Sequence, residues 1–259
     1  MITRGGQGGL LRWAVLFLLT LCAASPAFAD EGGNECRPRE QVVTQADGSR
    51  LRLAVRCDAA GADGRVSPAR YEVAIAAPGG SRFQPALTLG TDAMEEPLRD
   101  VDLIDIDQDG FFEVEARGMC GAGPNCLGDL YRQDPATGKL FHFFSGGYAD
   151  LRVLDGHLVE SGRASCCAWE YHAWPLGGPP RLRDYDNMAL MITIGADIAS
   201  EDGDAPARCT FSRRNGDNWR VVAPPGAAWL ALCEVYGDDY HLVTPEEARA
   251  AEAAAAQEP

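Results

Sequence analysis

Three aspartates at alternate positions, followed by a glycine, form the clearest chemical motif of the chain, DIDQDGFFE at residues 105–113. This spacing is typical of loops that wrap around Ca²⁺, a hard cation that takes roughly six to eight oxygen ligands. The glycine permits the sharp turn, a backbone carbonyl falls where a main-chain ligand is expected, and a glutamate occupies the ninth position. We therefore predict a Ca²⁺ site whose ligands are Asp105, Asp107, Asp109, Phe111 and Glu113.

The residues around this motif favour a strand-loop-strand calcium site over an EF-hand. An EF-hand needs a bidentate acid at the twelfth position, where this chain has Ala116, and the flanking residues alternate as strands do. The alternative is a solvated acidic turn without an ion, which repulsion among three clustered carboxylates disfavours. Because the ligands close into a cage with no open position, the predicted role of the ion is structural.

The composition limits the classes of protein and of partner. Of 259 residues, 46% are hydrophobic, which favours a folded globular chain over collagen-like, low-complexity or disordered classes. The 38 acidic residues outnumber the 23 lysines and arginines, for a formal net charge of -15. Such a surface repels phosphate backbones, so nucleic acid is a disfavoured partner, while basic macromolecules and divalent cations are favoured.

Residues 1–29 have the pattern of a secretory signal peptide. Arg4 and Arg12 precede a short apolar run, and Ala-Phe-Ala provides a small-residue cleavage site before Asp30. Lipoprotein processing at Cys22 is the disfavoured alternative, because the preceding Leu21 is larger than such sites normally accept. Cleavage removes two basic residues and no acid, which leaves 21 against 38 and a net charge of -17. We expect a periplasmic or secreted chain without a transmembrane segment.

The cysteines predict a disulfide framework, since eight remain after removal of the leader and an oxidising compartment favours their pairing. One pair brackets a five-residue loop, and two further pairs are plausible across adjacent strands. Cys166 and Cys167 are adjacent, and in a strand they would point to opposite faces, which favours separate partners over a vicinal ring. A thiol or metal site with His172 is the alternative. The candidates are Cys36 with Cys57, Cys120 with Cys126, Cys209 with Cys233, Cys166 and Cys167.

Period-two alternation of apolar residues predicts an all-β domain of antiparallel hairpins over residues 30–243. Turn signals such as Asp-Gly and Asn-Gly separate the strand-like runs. Residues 244–259 are predicted to form a short helix and a flexible tail, with fraying from residue 250 onward. Thr244, Pro245 and Glu247 supply a capping box at its start. The strand-like runs are 50–57, 71–77, 112–117, 140–144, 169–173, 188–194 and 229–235.

Residues 105–174 carry a resemblance to a known family. The calcium loop, the turn DPATGKL at 134–140 and the tryptophan-containing strands resemble FG-GAP-like periplasmic proteins. Within that family the chain is similar to bacterial lysozyme inhibitors and to immunity proteins against peptidoglycan hydrolases delivered by type IV secretion. The resemblance implies a small β-propeller-like fold stabilised by calcium.

The resemblance also implies an inhibitory loop, because Ser145-Gly146-Gly147-Tyr148 matches the Ser-Gly-x-Tyr segment that those inhibitors insert into the lysozyme cleft. A glycine turn fits a narrow groove, the Ser145 hydroxyl can bond the catalytic carboxyls, and Tyr148 supplies rigid contact area. The alternative is an ordinary hairpin turn whose tyrosine packs inward. The cysteine-flanked loop 121–125 and the adjacent cysteines depart from the family pattern, which puts the target in doubt.

These features together predict a non-enzymatic function. The chain has no Gly-x-Ser-x-Gly elbow, His-Glu-x-x-His helix or phosphate loop, and its histidines fit structural positions. We expect an exported calcium-binding β protein that blocks a basic, lysozyme-like peptidoglycan hydrolase. The alternative is a calcium-stabilised structural or adhesion module of the cell envelope.

Overall fold

The structure is a computed structural model that describes residues 36, 38–57, 68–90, 93–94, 98–121, 123–134, 136–195, 206–216 and 218–257. The predicted signal peptide, residues 1–29, lies outside the described residues. In the described part of the chain, two 3₁₀ helices, Tyr185–Asn187 and Ala227–Glu234, and one α-helix, α1 (Pro245–Ala255), accompany the strands. In chain order the strands are β1 (Arg39–Thr44), β2 (Arg50–Cys57), β3 (Pro68–Ala76), β4 (Gln84–Gly90), β5 (Asp100–Ile104), β6 (Glu113–Cys120), β7 (Cys126–Gln133), β8 (Leu140–Tyr148), β9 (Asp150–Leu154), β10 (His157–Ser165), β11 (Ala168–Pro175), β12 (Leu190–Gly195), β13 (Ala207–Asn215), β14 (Asn218–Val221) and β15 (Tyr240–Leu242).

The strands form three sheets in which neighbours along the chain pair antiparallel. The first sheet has the order β1-β2-β3-β4 and the second β5-β6-β7-β8, while the third runs from β9 to β14. β15 joins the third sheet by pairing parallel with β13, a departure from the predicted hairpins. The all-β fold with a short C-terminal helix is confirmed. The propeller-like arrangement of the sheets stays a prediction.

Three buried clusters hold these sheets together. Because apolar and polar residues alternate in β2, Leu51 and Leu53 lie on one face of the strand. They belong to a buried core that also contains Val101 and Val114 of the second sheet. A second cluster joins β7 and β8 to Trp174 of the third sheet. The third cluster lies between the strands of the third sheet and the 3₁₀ helix Ala227–Glu234. The first two clusters thus bury apolar faces between sheets, and the third buries one face of the third sheet under the helix.

The segment predicted as a strand at 229–235 is a 3₁₀ helix instead, so that prediction is wrong. Trp229, Leu232 and Cys233 are its buried residues, and this three-to-four-residue spacing suits one face of a helix. The capping box of α1 is confirmed, since Thr244 and Glu247 bond each other's backbone N–H groups. The helix continues to Ala255 rather than fraying from residue 250, because alanine and glutamate are strong helix formers.

Three of the predicted cysteine pairings are confirmed as disulfides: Cys36–Cys57, Cys120–Cys126 and Cys209–Cys233. The prediction of separate disulfide partners for Cys166 and Cys167 is wrong, because both thiols are free. These two residues occupy the turn between β10 and β11 rather than a strand, so their side chains are not directed to opposite faces of a sheet. None of the described helices has the length and apolar character needed to span a bilayer.

Candidate functional site

The acidic loop, residues 105–112, connects β5 to β6 and turns sharply at two positions. Gln108 and Gly110 have φ angles of 57° and 82°, in the left-handed region that favours glycine. A Cβ added at Gly110 would lie 2.9 Å from the Cβ of Ala46, which leaves no room for a side chain. Both the turn and the contact therefore require glycine at this position, as the calcium motif predicted.

The turn brings the three aspartates together. One carboxylate oxygen each from Asp105, Asp107 and Asp109 lie within 4.8 Å of one another, and no other group of three metal-ligating residues is found in the described part of the chain. Asp105 Oδ1, Asp107 Oδ1 and Glu113 Oε1 are buried and accept no hydrogen bond. Buried anionic oxygens without a hydrogen-bond partner are costly, so Asp105 Oδ1 and Asp107 Oδ1 fit a hard divalent cation such as Ca²⁺, whereas Glu113 Oε1 already has the Arg132 guanidinium as an ionic neighbour.

Backbone N–H groups orient the remaining carboxylate oxygens. Gly110 donates to Asp105 Oδ2 at 3.1 Å, and Phe111 donates to Asp109 Oδ1 at 2.7 Å. The N–H of Ile106 donates to Glu113 Oε2 at 3.2 Å. The acids are thus fixed by the loop's own backbone, which leaves the unpartnered oxygens in place for an ion.

Arg132 of β7 is a site residue that the sequence motif does not contain. Its Nη2 donates to Asp107 Oδ2 at 2.6 Å and to Asp109 Oδ2 at 3.0 Å, and its Nε lies 3.4 Å from Glu113 Oε1. The guanidinium therefore donates to the Oδ2 atoms of Asp107 and Asp109 and leaves Oδ1 of Asp107 without a hydrogen bond. No spacing rule links β7 to the loop, so only the pairing of the strands shows the contact.

Burial shapes the protonation of this site. Glu113 is only 1% exposed, and this desolvation raises the pKa of its carboxyl to about 8, against the opposing effects of the Ile106 N–H and Arg132. Burial also raises the pKa of Asp107, although Arg132 acts in the other direction. A bound divalent cation favours the ionised forms of both acids and so offsets this penalty.

The turn between β1 and β2 anchors the acidic loop to the first sheet. Ala46 donates its N–H to the carbonyl of Gly110 at 2.8 Å. The Gln45 side chain accepts from the Phe112 N–H at 3.3 Å and donates to Gln133 Oε1 at 2.8 Å. The loop is therefore a joint between the first and second sheets, and its conformation affects how the two sheets pack.

A cleft of about 560 Å³ opens beside the loop. Its floor includes Phe143, which lies between two guanidiniums, with Arg132 5.5 Å and Arg183 4.2 Å from the ring centre. Arg183 is 3% exposed and donates to four backbone carbonyls of residues 175–181, and burial lowers its pKa to about 10. The acids and the other phenylalanines that line the cleft are Asp47, Asp107, Asp109, Asp134, Phe111 and Phe141.

The segment Ser145-Gly146-Gly147-Tyr148 is not a projecting loop, and the prediction that it inserts into a partner is wrong for this geometry. These residues form the end of β8, paired with β7, and the Ser145 N–H bonds the Arg183 carbonyl at 3.0 Å on the other edge. Tyr148 is 6% exposed and donates its hydroxyl to Glu115 Oε1 at 2.6 Å. The tyrosine therefore packs inward, and moving it into a cleft would break the sheet.

The alternative thiol or metal site involving His172 is not formed. His172 Nδ1 lies 2.8 Å from Oε1 of the buried Glu160, which also accepts the Tyr185 hydroxyl at 2.8 Å. Glu160 Oε2 is buried and accepts no hydrogen bond. A Cβ added at Gly146 would lie only 2.3 Å from this oxygen. The histidine thus has a structural role in the contact between β10 and β11.

Comparison with known proteins gives weak likenesses only. No family model matches the chain, and no curated protein matches it. One similar solved structure is described as a Xanthomonas type IV secretion system related protein, with 15% identity and a TM-score of 0.41, over 71% of this chain and 93% of that one. Another is a thermostable family-43 glycoside hydrolase, with 12% identity and a TM-score of 0.25, over 73% of this chain and 77% of that one. At these identities and TM-scores, neither likeness assigns a fold or a function.

Calcium removal tests the metal centre. If the unpartnered oxygens hold Ca²⁺, chelation should lower the melting temperature by about 5–10 °C, as expected when a ligand present at about a hundred times its Kd is lost. Asp107→Asn should abolish the difference between calcium and chelator. The matched variant Asp239→Asn, at an exposed acid, should keep it. An unchanged melting curve in chelator would show that the loop is only an acidic turn.

Arg132→Gln tests the competition between the guanidinium and the ion. Without calcium the variant should be less stable than the parent, because three carboxylates lose their positive neighbour. With calcium its gain in melting temperature should exceed the parent's, since a charge that repels the cation is gone. Arg70→Gln, at an exposed pair with Glu72, should not alter the calcium gain. An equal or smaller gain in Arg132→Gln would contradict the arrangement.

Two neighbouring glycines test the packing role of the Ser-Gly-Gly-Tyr segment. A Cβ at Gly146 would lie 2.3 Å from Glu160 Oε2 and 2.5 Å from the Phe144 ring, whereas one at Gly147 has its nearest neighbour at 3.8 Å. Gly146→Ala should therefore cost about 1–3 kcal/mol of unfolding free energy, as overpacking does, measured by urea denaturation. Gly147→Ala should cost much less. Equal costs would argue against this packing.

Proposed function

We propose that this chain is an exported, calcium-binding β protein that binds and blocks a basic, lysozyme-like peptidoglycan hydrolase. Three disulfides fit a chain that folds in an oxidising compartment such as the periplasm or the extracellular space. The unpartnered carboxylate oxygens of the acidic loop support the calcium ion. The partner class follows from the family resemblance of residues 105–174 and from the charge of the surface.

The choice of a basic partner rests mainly on the negative net charge of the chain. The chain has a formal net charge of -15. Enzymes that act on an anionic cell wall are commonly basic, and a strongly acidic protein is steered toward such a partner at low salt. The binding surface cannot be the Ser145–Tyr148 segment as it is folded here, so an exposed acidic region must provide it.

The rim of the cleft is the acidic region that fits this role best. Asp47 and Asp134 line it, and neither has an arginine partner among the described residues. Hydrogen bonds from Ser49 lower the pKa of Asp47, and the Thr137 hydroxyl and the Ala136 N–H lower that of Asp134, so both stay ionised. A basic side chain of the hydrolase could meet these carboxylates while its apolar part contacts the phenylalanines of the cleft.

A second candidate is a calcium-stabilised structural or adhesion module of the cell envelope. It is favoured by one observation: the acidic loop bonds Ala46 and Gln45 of the first sheet's turn, and Gln45 also donates to Gln133 of the second sheet. In that position a bound calcium ion would have a structural role whatever the chain binds. This candidate predicts calcium-dependent melting and no effect on lysozymes.

Lysis of purified peptidoglycan by lysozymes of several classes, with and without excess protein, distinguishes the two functions. The inhibitor hypothesis predicts slower lysis by at least one class and inhibition that weakens as salt is added, because surface charges are screened. If excess protein leaves every lysozyme class unaffected, the inhibitor hypothesis fails and the module remains.

The double variant Asp47→Asn/Asp134→Asn tests the acidic rim. Asparagine keeps the Oδ1 acceptor of the Ser49 and Ala136 N–H groups and removes the charge, at the cost of the bond from the Thr137 hydroxyl to Asp134 Oδ2. Association with the hydrolase should slow by roughly three- to tenfold and lose part of its salt dependence. The control Asp239→Asn should associate as the parent does. If the double variant associates as fast as the parent, the binding surface lies elsewhere on the molecule.

A further inference from the structure

The turn between β10 and β11 carries two adjacent free thiols. Ser165 pairs with Ala168, so Cys166 and Cys167 are the two residues of a tight hairpin turn. Cys166 is exposed and Cys167 half-buried, and both are free while the other six cysteines of the described chain are paired. An exposed dithiol next to three formed disulfides is a chemical group that neither the calcium loop nor the cleft uses.

The surrounding hydrogen bonds hold this turn in one conformation. Arg163 donates through Nε to the Ser165 carbonyl at 3.1 Å and through Nη2 to the Cys166 carbonyl at 2.7 Å. Asn125 in turn bonds the backbone of Arg163, accepting its N–H at 2.8 Å and donating to its carbonyl at 3.2 Å. The disulfide-closed loop that contains Asn125 thus supports the turn, so the two thiols are presented at a fixed place on the surface.

We propose that Cys166 and Cys167 form a redox-active dithiol, which reduces a disulfide donor and closes to a vicinal disulfide. Cys166 is the attacking residue because it is the more exposed of the two. The neighbouring Cys166 thiol raises the pKa of Cys167, in keeping with its role as the second, resolving thiol.

The exchange balances in two steps. The Cys166 thiolate attacks one sulfur of the donor, the donor's disulfide bond breaks, one donor thiolate leaves, and a mixed disulfide remains. Cys167 then loses its proton to solvent and attacks the Cys166 sulfur, which breaks the mixed disulfide and releases the second donor thiolate. Two electrons pass to the donor, which becomes two thiols, and the cysteine pair loses two hydrogen atoms. Because a ring between adjacent residues is strained, it is also easily reduced again.

Oxidised glutathione serves as the probe donor for the full chain with its three disulfides intact. Trypsin cleavage after Arg163 and Arg181 releases residues 164–181, which contain Cys166 and Cys167 and no other cysteine. After mild reduction this peptide should carry two alkylatable thiols. After glutathione treatment it should be lighter by two hydrogen atoms and resist alkylation. A peptide that keeps both thiols in excess donor, or a disulfide-linked dimer, would overturn the proposal.

Single serine variants assign the two roles. Cys167→Ser should stop at the mixed disulfide and accumulate a glutathione adduct on Cys166. Cys166→Ser should form its adduct at least about tenfold more slowly, since only the less exposed thiol remains. Equal rates of adduct formation would refute the assignment of roles. The double variant, which has no thiol in the turn, should keep the parent's melting temperature and show no mass change.

Discussion

Charge repulsion within the acidic loop is the constraint on which the contact between the first two sheets depends. One carboxylate oxygen each from Asp105, Asp107 and Asp109 lie within 4.8 Å of one another, an arrangement that nearby positive charge stabilises. Arg132 supplies part of that charge from β7, on the Oδ2 side. The buried Oδ1 atoms of Asp105 and Asp107 have no hydrogen-bond partner among the described residues, and the proposed cation would add positive charge there. The strand pairing that delivers Arg132 and the loop that gathers the acids therefore stabilise each other.

A second set of constraints acts on β8, the edge strand of the second sheet. Its outer edge is covered by Arg183, whose backbone bonds Phe143 and Ser145 and whose side chain binds the carbonyls of residues 175–181. Covering an edge in this way prevents pairing with other chains. Gly128 of β7 and Gly146 of β8 serve close packing rather than turns, because a Cβ would lie 2.3 Å from the Tyr148 hydroxyl at the first position and 2.3 Å from Glu160 Oε2 at the second.

Local patterns explain which predictions from the sequence were right. The capping box at Thr244, the alternation of β2 and the short loop between Cys120 and Cys126 depend on neighbouring residues, so spacing alone predicted them. The contact of Arg132 with the loop and the burial of Tyr148 depend on how strands pair, which spacing does not encode. The four-residue match at Ser145–Tyr148 led to the wrong prediction of a projecting loop for the same reason, since these residue types occur both in strands and in turns. Trp229 and Cys233 suit either a strand or a helix face, and the disulfide to Cys209 and the core of the third sheet select the helix.

The acidic loop and the cleft share Asp107 and Asp109, so a calcium ion would change the charge of both. Two positive charges at the Oδ1 atoms would weaken the hold of these aspartates on Arg132 and leave its guanidinium less compensated. The negative charge of the cleft would then rest on Asp47 and Asp134, which lie outside the calcium loop and are ionised through their own turn hydrogen bonds. Two kinds of acid thus meet at this site. The first kind belongs to the acidic loop and pairs with Arg132, and the second, Asp47 and Asp134, lies outside the loop and keeps its charge whether or not an ion is bound.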